Sequence, residues 1–202
     1  MAERRARPSL EGDARLLEGS LGTLPAPVAR PVLLVLSGLP GSGKSYLRRE
    51  LQKRHPLAAL ESDALRRVLF QPARHTQREH RRLFPAMQLV AGRLLGRGIS
   101  VVYDATNLRE AHREPLYRLA ADHGAHLLVI AVSAPDEVIR KRLAEREARA
   151  DPLDASDATV AVFEKMRPEA EPVARAHVAV DTSQVMGPVL DNIARELQAV
   201  GV

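Results

Sequence analysis

Residues 31–45 read PVLLVLSGLPGSGKS. The first seven are an almost unbroken apolar run, as a parallel strand covered on both faces requires. The next eight, Gly38-Leu39-Pro40-Gly41-Ser42-Gly43-Lys44-Ser45, match G-x-x-x-x-G-K-[ST] in full. In such a loop the glycines let successive backbone N–H groups converge on phosphate oxygens, and the helix N-terminus that follows adds positive charge. Lys44 reaches the β- and γ-phosphates as a point charge, and Ser45 offers a hydroxyl to Mg2+. Gly38, Pro40, Gly41, Ser42, Gly43, Lys44 and Ser45 are therefore the candidate ATP-binding residues, with Ser45 also a metal ligand and Lys44 also catalytic. Arginine outnumbers lysine 26 to 4, so a lysine at the one position the chemistry needs stands out against the composition.

Outward from this loop, apolar strands alternate with helical periodicity. A helix is predicted over about 43–54, a short strand at 58–60 and a helix after Ser62. Leu83, Met87, Val90 and Leu94 recur at helical spacing, giving a long helix over about 76–97 that stops at Gly98. Strands follow at 99–103, 126–132 and 176–180, with helices at 110–123, after Pro135, at 158–166 and near the C-terminus. Alternation of this kind means an α/β fold, a three-layer αβα P-loop NTPase with a parallel sheet of about five strands. Residues 1–30, broken by Pro8, Pro25 and Pro27, read as a polar N-terminal arm with at most a short helix near 14–18. Residues 31–202 are the domain proper.

Of the 202 residues, none is Cys or Trp, and Tyr and Phe number three each. Thiol catalysis, zinc–thiolate sites and disulfide frameworks are excluded, and too few aromatics remain for a base-stacking surface. No apolar run reaches membrane-spanning length and no signal-peptide core is present, so a soluble, cytoplasmic protein without a membrane partner is expected. The seven histidines contain no H-x-x-x-H pair.

No lysine stands in the guanine-reading N/T-K-x-D pattern, which argues against a GTPase. The strand at 99–103 runs into a single carboxylate, Asp104, where large mechanochemical ATPases carry two. Together Gly38–Ser45, Ser62-Asp63-Ala64-Leu65-Arg66 and Asp104-Ala105-Thr106-Asn107-Leu108 resemble the P-loop kinases related to phage polynucleotide kinase and the zeta-toxin-like kinases, over roughly residues 31–200. The resemblance implies that Asp63 accepts the acceptor hydroxyl's proton and Arg66 holds a substrate phosphate. The residues alone also allow Asp63 to be a helix N-cap, and Arg67 to replace Arg66. Asp104 is expected at Mg2+-bound water or the phosphate loop, or else in a strand-end turn with Thr106 and Asn107. Asn107, Arg109 and Arg113 complete the candidate substrate-binding set; the two arginines share a helix face at i, i+4, and surface pairing with Glu110 and Glu114 is the other outcome.

Related kinases use lid arginines to stabilise charge on the transferring phosphoryl group. Arg142, Arg146 and the later Ser156-Asp157-Ala158 resemble that pattern, placing a short lid near 142–157 with Arg146 catalytic and Arg142 at the nucleotide. A salt-bridged surface helix would read the same way, since 140–157 carries five basic and five acidic residues.

The net charge of +5 is unevenly distributed: +2 over residues 1–45, +8 over 46–118 and −5 over 119–202. Arg74, His75, Arg78, His80, Arg81 and Arg82 crowd one short segment. This favours a phosphate-bearing acceptor, foremost the 5′-OH of RNA or DNA, over a neutral sugar. The alternatives are a small-molecule kinase acting on a sugar, antibiotic or nucleotide sugar, and a non-catalytic ATP-binding switch.

Overall fold

The computed structural model describes residues 9–149 and 158–200. In chain order the elements are α1 (Leu10–Gly19), β1 (Val32–Ser37), α2 (Lys44–Gln52), β2 (Ala58–Glu61), α3 (Ser62–Leu69), α4 (Gln77–Gly96), β3 (Val101–Asp104), α5 (Glu110–Asp122), β4 (His126–Ser133), α6 (Asp136–Arg149), α7 (Val160–Met166), β5 (Val178–Asp181) and α8 (Gly187–Ala199). The five strands form one sheet in the order β2-β3-β1-β4-β5, every neighbouring pair parallel. Parallel pairing puts all five carboxyl ends on one edge, and in an open α/β sheet that edge is where ligands bind.

Residues along β1 alternate between two cores. Leu33 and Val35 face a layer built from α1, α3, α4 and α5, with Leu83, Met87, Val90 and Leu94 of α4 at its centre. Val32, Leu34 and Leu36 face α2 and α8, against Leu47, Leu51, Ile193 and Leu197. The sheet is thus covered on both sides, which is why β1 had to be apolar throughout, and the three-layer αβα arrangement is established. A third, small cluster of Ile139, Leu143 and Phe163 joins α6 to α7.

Element limits differ from the sequence expectation by a residue or two, with one instructive case. The strand expected from residue 99 begins at Val101 because Ile99 belongs to the end of α4. Its N–H donates to Leu94 O at 2.9 Å while Gly98 N–H donates to Leu95 O at 2.9 Å, with Gly98 at φ +75°. This paired closure needs a left-handed residue, and glycine takes it at little steric cost.

The N-terminal segment departs most from expectation. Residues 10–19 form a capped helix, Ser9 Oγ accepting from Gly12 N–H at 3.0 Å. Ala14 and Leu17 are fully buried in the main core. The acidic residues of α1 meet the arginines of α4: Asp13 accepts from Arg82 at both Nε (2.9 Å) and Nη2 (2.7 Å), Glu18 accepts from Arg97 at 2.9 Å, and Glu11 pairs with Arg93. The described part of the expected arm is a docked layer of the domain, driven by two apolar side chains and charge complementarity.

Replacing Leu17 with Ala should cost about 3 kcal/mol through the cavity it leaves. Asp13→Ala should cost about 2 kcal/mol, from a charged, two-point hydrogen bond. Urea midpoints should fall accordingly with the m-value unchanged; an undocked tail would leave both variants at wild-type stability.

Candidate active site

The phosphate loop leaves β1 and turns back on itself before α2. Lys44, the first residue of α2, is buried, and its ammonium donates to the carbonyls of Gly38 and Leu39 at 2.9 Å each. Gly43 caps the helix at φ +97°. A Cβ there would lie 2.9 Å from Thr182, and one on Gly38 would lie 2.2 Å from Val132 O, so both positions exclude any side chain. Ser42 Oγ is buried without a hydrogen-bond partner. A concave loop with one orphan hydroxyl and a buried ammonium fits phosphate oxygens.

Three neighbours hold the loop from behind. Thr182, just past β5, donates from Oγ1 to Ser42 O at 2.7 Å. Gly38 N–H donates to Thr106 O at 2.9 Å. Asn107, at φ +44°, donates from Nδ2 to Leu36 O at 2.7 Å, while Ser37 Oγ donates to Asn107 O at 3.0 Å. Asn107 is therefore buried in the footing of the loop and is corrected from substrate ligand to brace.

Asp104 ends β3 in register with Leu36 of β1 and Glu61 of β2. It is only 4% exposed and accepts from Arg48 Nε at 3.0 Å. Burial pushes its carboxyl up, while Lys44 and Arg48 pull it back. Burial lowers the Lys44 ammonium, opposed by Asp104 and then Asp63. Lys44, Asp63 and Asp104 thus share one electrostatic field although they lie on α2, α3 and β3. The Ser45 hydroxyl beside Lys44, with Asp104 on the neighbouring strand end, is a hard-oxygen donor set of the kind Mg2+ takes.

Asp63 occupies the first turn of α3, directly after β2, with no side-chain cap made by residue 61. Arg66 lies one turn on. It is 2% exposed, donates to Glu79 Oε2 at 3.5 Å and leaves its Nε without a partner. Burial would raise the Glu79 carboxyl, but the backbone N–H groups of Arg74 and His75 and the Arg66 guanidinium together hold it below its usual value.

The remaining expected arginines divide. Arg113 is fully buried and donates to the carbonyls of Asn107, Leu108 and Pro172 at 2.9, 3.1 and 2.8 Å, and it pairs with Glu110. Its donors are saturated by the fold, so it is corrected from substrate ligand to structural tie. Arg109 is 46% exposed and pairs with Glu169 at 2.9 Å, a surface pair as the alternative expected but with a different acid from Glu110 and Glu114. On α6, Arg142 donates to Thr182 Oγ1 at 2.7 Å and Thr182 O at 2.9 Å, which puts it beside the phosphate loop. Arg146 lies within electrostatic reach of Lys44 and donates to Ala158 O. The rest of the expected lid, 150–157 with Ser156 and Asp157, lies outside the described residues. A cleft of about 510 Å3 opens next to the loop, lined by Gly43, Tyr46, Arg142, Thr182, Gln184 and Met186.

Sequence reasoning missed Arg48, Glu61 and Thr182, which belong to no short motif. The one available signal was spacing: Arg48 follows Lys44 by four, which places both on one face of α2.

This fold and site define a P-loop domain of the kinase type. Residues 33–173 match the model of the AAA domain, and the chain belongs to that family. No curated protein matches the sequence. Among solved structures it is similar to Chaetomium thermophilum Kti12 in complex with ADP-AlF3, at 19% identity over 84% of this chain and 99% of the other, TM-score 0.68. It is similar to the Mycobacterium tuberculosis APS kinase in complex with AMPPNP and APS, at 18% identity over 87% and 98%, TM-score 0.60. It also resembles a chain of the Pnkp1/Rnl/Hen1 RNA repair complex, at 23% identity over 73% and 49%, TM-score 0.55. Among the described residues no helix is long and apolar enough to cross a membrane.

The Glu79 contacts carry a pH signature. A carboxylate with a depressed folded pKa stabilises fully above its ordinary value, 4.5, and loses that contribution as pH falls through the folded value. Glu79→Gln should therefore melt below wild type at neutral pH, and the gap in melting temperature should close as pH drops below 4.5. A gap independent of pH would contradict this assignment.

Proposed function

We propose that the protein is an ATP- and Mg2+-dependent phosphotransferase that moves the γ-phosphoryl group to a hydroxyl on a phosphate-bearing acceptor. The observation that carries this reading is Asp63, a carboxylate in the first turn of the helix that follows edge strand β2, at the same carboxyl edge of the sheet as the phosphate loop. A nucleotide switch has no use for a carboxylate so placed. Bound ATP supplies the transferable group, and Mg2+ neutralises charge on it. Lys44 and the loop amides hold the phosphates, and Ser45 with Asp104 are the residues that would hold Mg2+. Asp63 orients the acceptor hydroxyl; a loose transition state needs orientation more than a strong base. Arg146 is the candidate for charge developing on the phosphoryl group. Tyr46, Arg142 and Gln184 offer a ring, a planar cation and an amide to the nucleotide base in the cleft.

On the acceptor side, Arg74, Arg78 and Arg81 are exposed and their side chains pair with no acid among the described residues, which supports the 5′-OH of RNA or DNA. A second reading, a small anionic molecule, draws on Arg66: a single buried cation with one open N–H suits one anion.

γ-Labelled ATP offered with 5′-OH RNA and DNA oligomers, nucleosides, sugars and aminoglycosides separates the readings. Labelled oligomer is expected, reduced at least ~100-fold by Lys44→Ala and by Asp63→Asn. Label on a small molecule alone would replace the polynucleotide reading. ATP binding with no labelled acceptor would refute the kinase.

A further inference from the structure

The strand that precedes Asp63 is poorly secured by the sheet. β2 has four residues, lies at the sheet edge and pairs only with β3. An edge strand this short leaves whatever follows it free to shift, unless side chains fix it. Here both of its ends are tied to α2, the helix that begins at Lys44.

At the far end, Arg48 Nη2 donates to Glu61 Oε2 at 2.8 Å while its Nε donates to Asp104 Oδ2 at 3.0 Å. At the near end, Arg48 Nη1 donates to Gln52 Oε1 at 2.8 Å, and Gln52 Nε2 donates onward to Leu57 O at 3.0 Å, immediately before β2. One guanidinium thus joins α2 directly to the ends of β2 and β3 through two nitrogens, and with the third it holds Gln52 of the same helix on Leu57 O. Its side chain is 11% exposed, so these bonds are little weakened by water. Glu61 is two residues before Asp63.

We propose that Arg48 is a positioning residue: by gripping Glu61 it sets Asp63 at a fixed place relative to the phosphate loop. The grip demands a planar fork of donors. A lysine ammonium on a flexible stem cannot hold three acceptors in this plane. The inference rests on Asp63 being the acceptor-orienting carboxylate. Catalysis by orientation is sensitive to small errors, and a displacement of about 1 Å can cost ~100-fold in rate.

The test uses the full chain and three variants: Arg48→Lys, Arg48→Gln and Glu61→Gln. Glu61→Gln is decisive, because it weakens the grip on β2 while leaving Arg48 on Asp104. With AMPPNP bound, amide exchange over residues 58–69 should accelerate at least ~10-fold in each variant. In Glu61→Gln, which keeps Arg48 on Asp104, exchange in β1 and affinity for AMPPNP should stay within ~2-fold of wild type. In turnover of that variant with the acceptor, kcat should fall ~10- to 100-fold with the KM for ATP unchanged. In an Asp63→Asn background Glu61→Gln should cost little further, since it acts through Asp63. Unchanged exchange over 58–69 in Glu61→Gln, or full additivity with Asp63→Asn, overturns the proposal. If the wild-type chain phosphorylates no acceptor, the functional reading falls, and the exchange measurement still decides whether Arg48 positions residue 63.

Discussion

A lysine ammonium held inside the protein at the carboxyl edge of the sheet organises the molecule. Lys44 is needed where phosphates are to sit, yet burial disfavours its charge. Two loop carbonyls solvate it directly, and Asp104 and Asp63 supply opposite charge from two other elements. Asp104 is itself buried, and its ionised form needs cations. Arg48 answers that need and in doing so reaches Glu61. Each buried charge thus requires the next, and the sequence of requirements runs from the loop to Glu61, two residues before Asp63. A network of this kind specifies geometry even where its net contribution to stability is small.

The excess positive charge of the middle segment divides into two populations. Arg82 and Arg93 of α4 and Arg97 at its C-terminal end are met by Asp13, Glu11 and Glu18 of α1 and serve to dock that helix. Arg82 also lies over the Phe70 ring at 5.0 Å, which links the docking to the end of α3. Arg74, Arg78 and Arg81 meet no acid among the described residues. A bulk figure for the segment merges cations that build the domain with cations open to a partner, and only the second population bears on substrate choice.

The phosphate loop was legible because its chemistry is local: eight consecutive residues carry it, and the preceding strand announces itself by being apolar on both faces. The strand–helix alternation was legible for the same reason, with glycine stops at the ends of α4 and α5. Side-chain destinations were not. Arg113 and Arg109 are the same residue type at the start of one helix, but one is buried among six backbone and side-chain acceptors and the other lies on the surface. Helix periodicity tells which residues share a face, not how deep that face is buried. The docked helix α1 was obscured because only two of its apolar residues, Ala14 and Leu17, are buried, between Pro8 and Pro25 in sequence. Its three acids matched partners 69 to 82 residues away, a distance that pattern reading does not cover.

Arg113 joins two places that are distant in the chain. On one side it holds the turn after β3, which is also the footing of the phosphate loop; on the other it holds the carbonyls of Glu171 and Pro172, and Glu171 N–H donates in turn to Leu108 O at 2.9 Å. The other limit of this stretch is Ser133, where β4 ends beside Thr182. Helices α6 and α7 lie between these two anchors and share a small core of their own, separate from both faces of the sheet. Arg142 and Arg146 ride on α6 between these anchors, and Arg142 adds a third tie by bonding Thr182, the same residue that holds Ser42 of the phosphate loop.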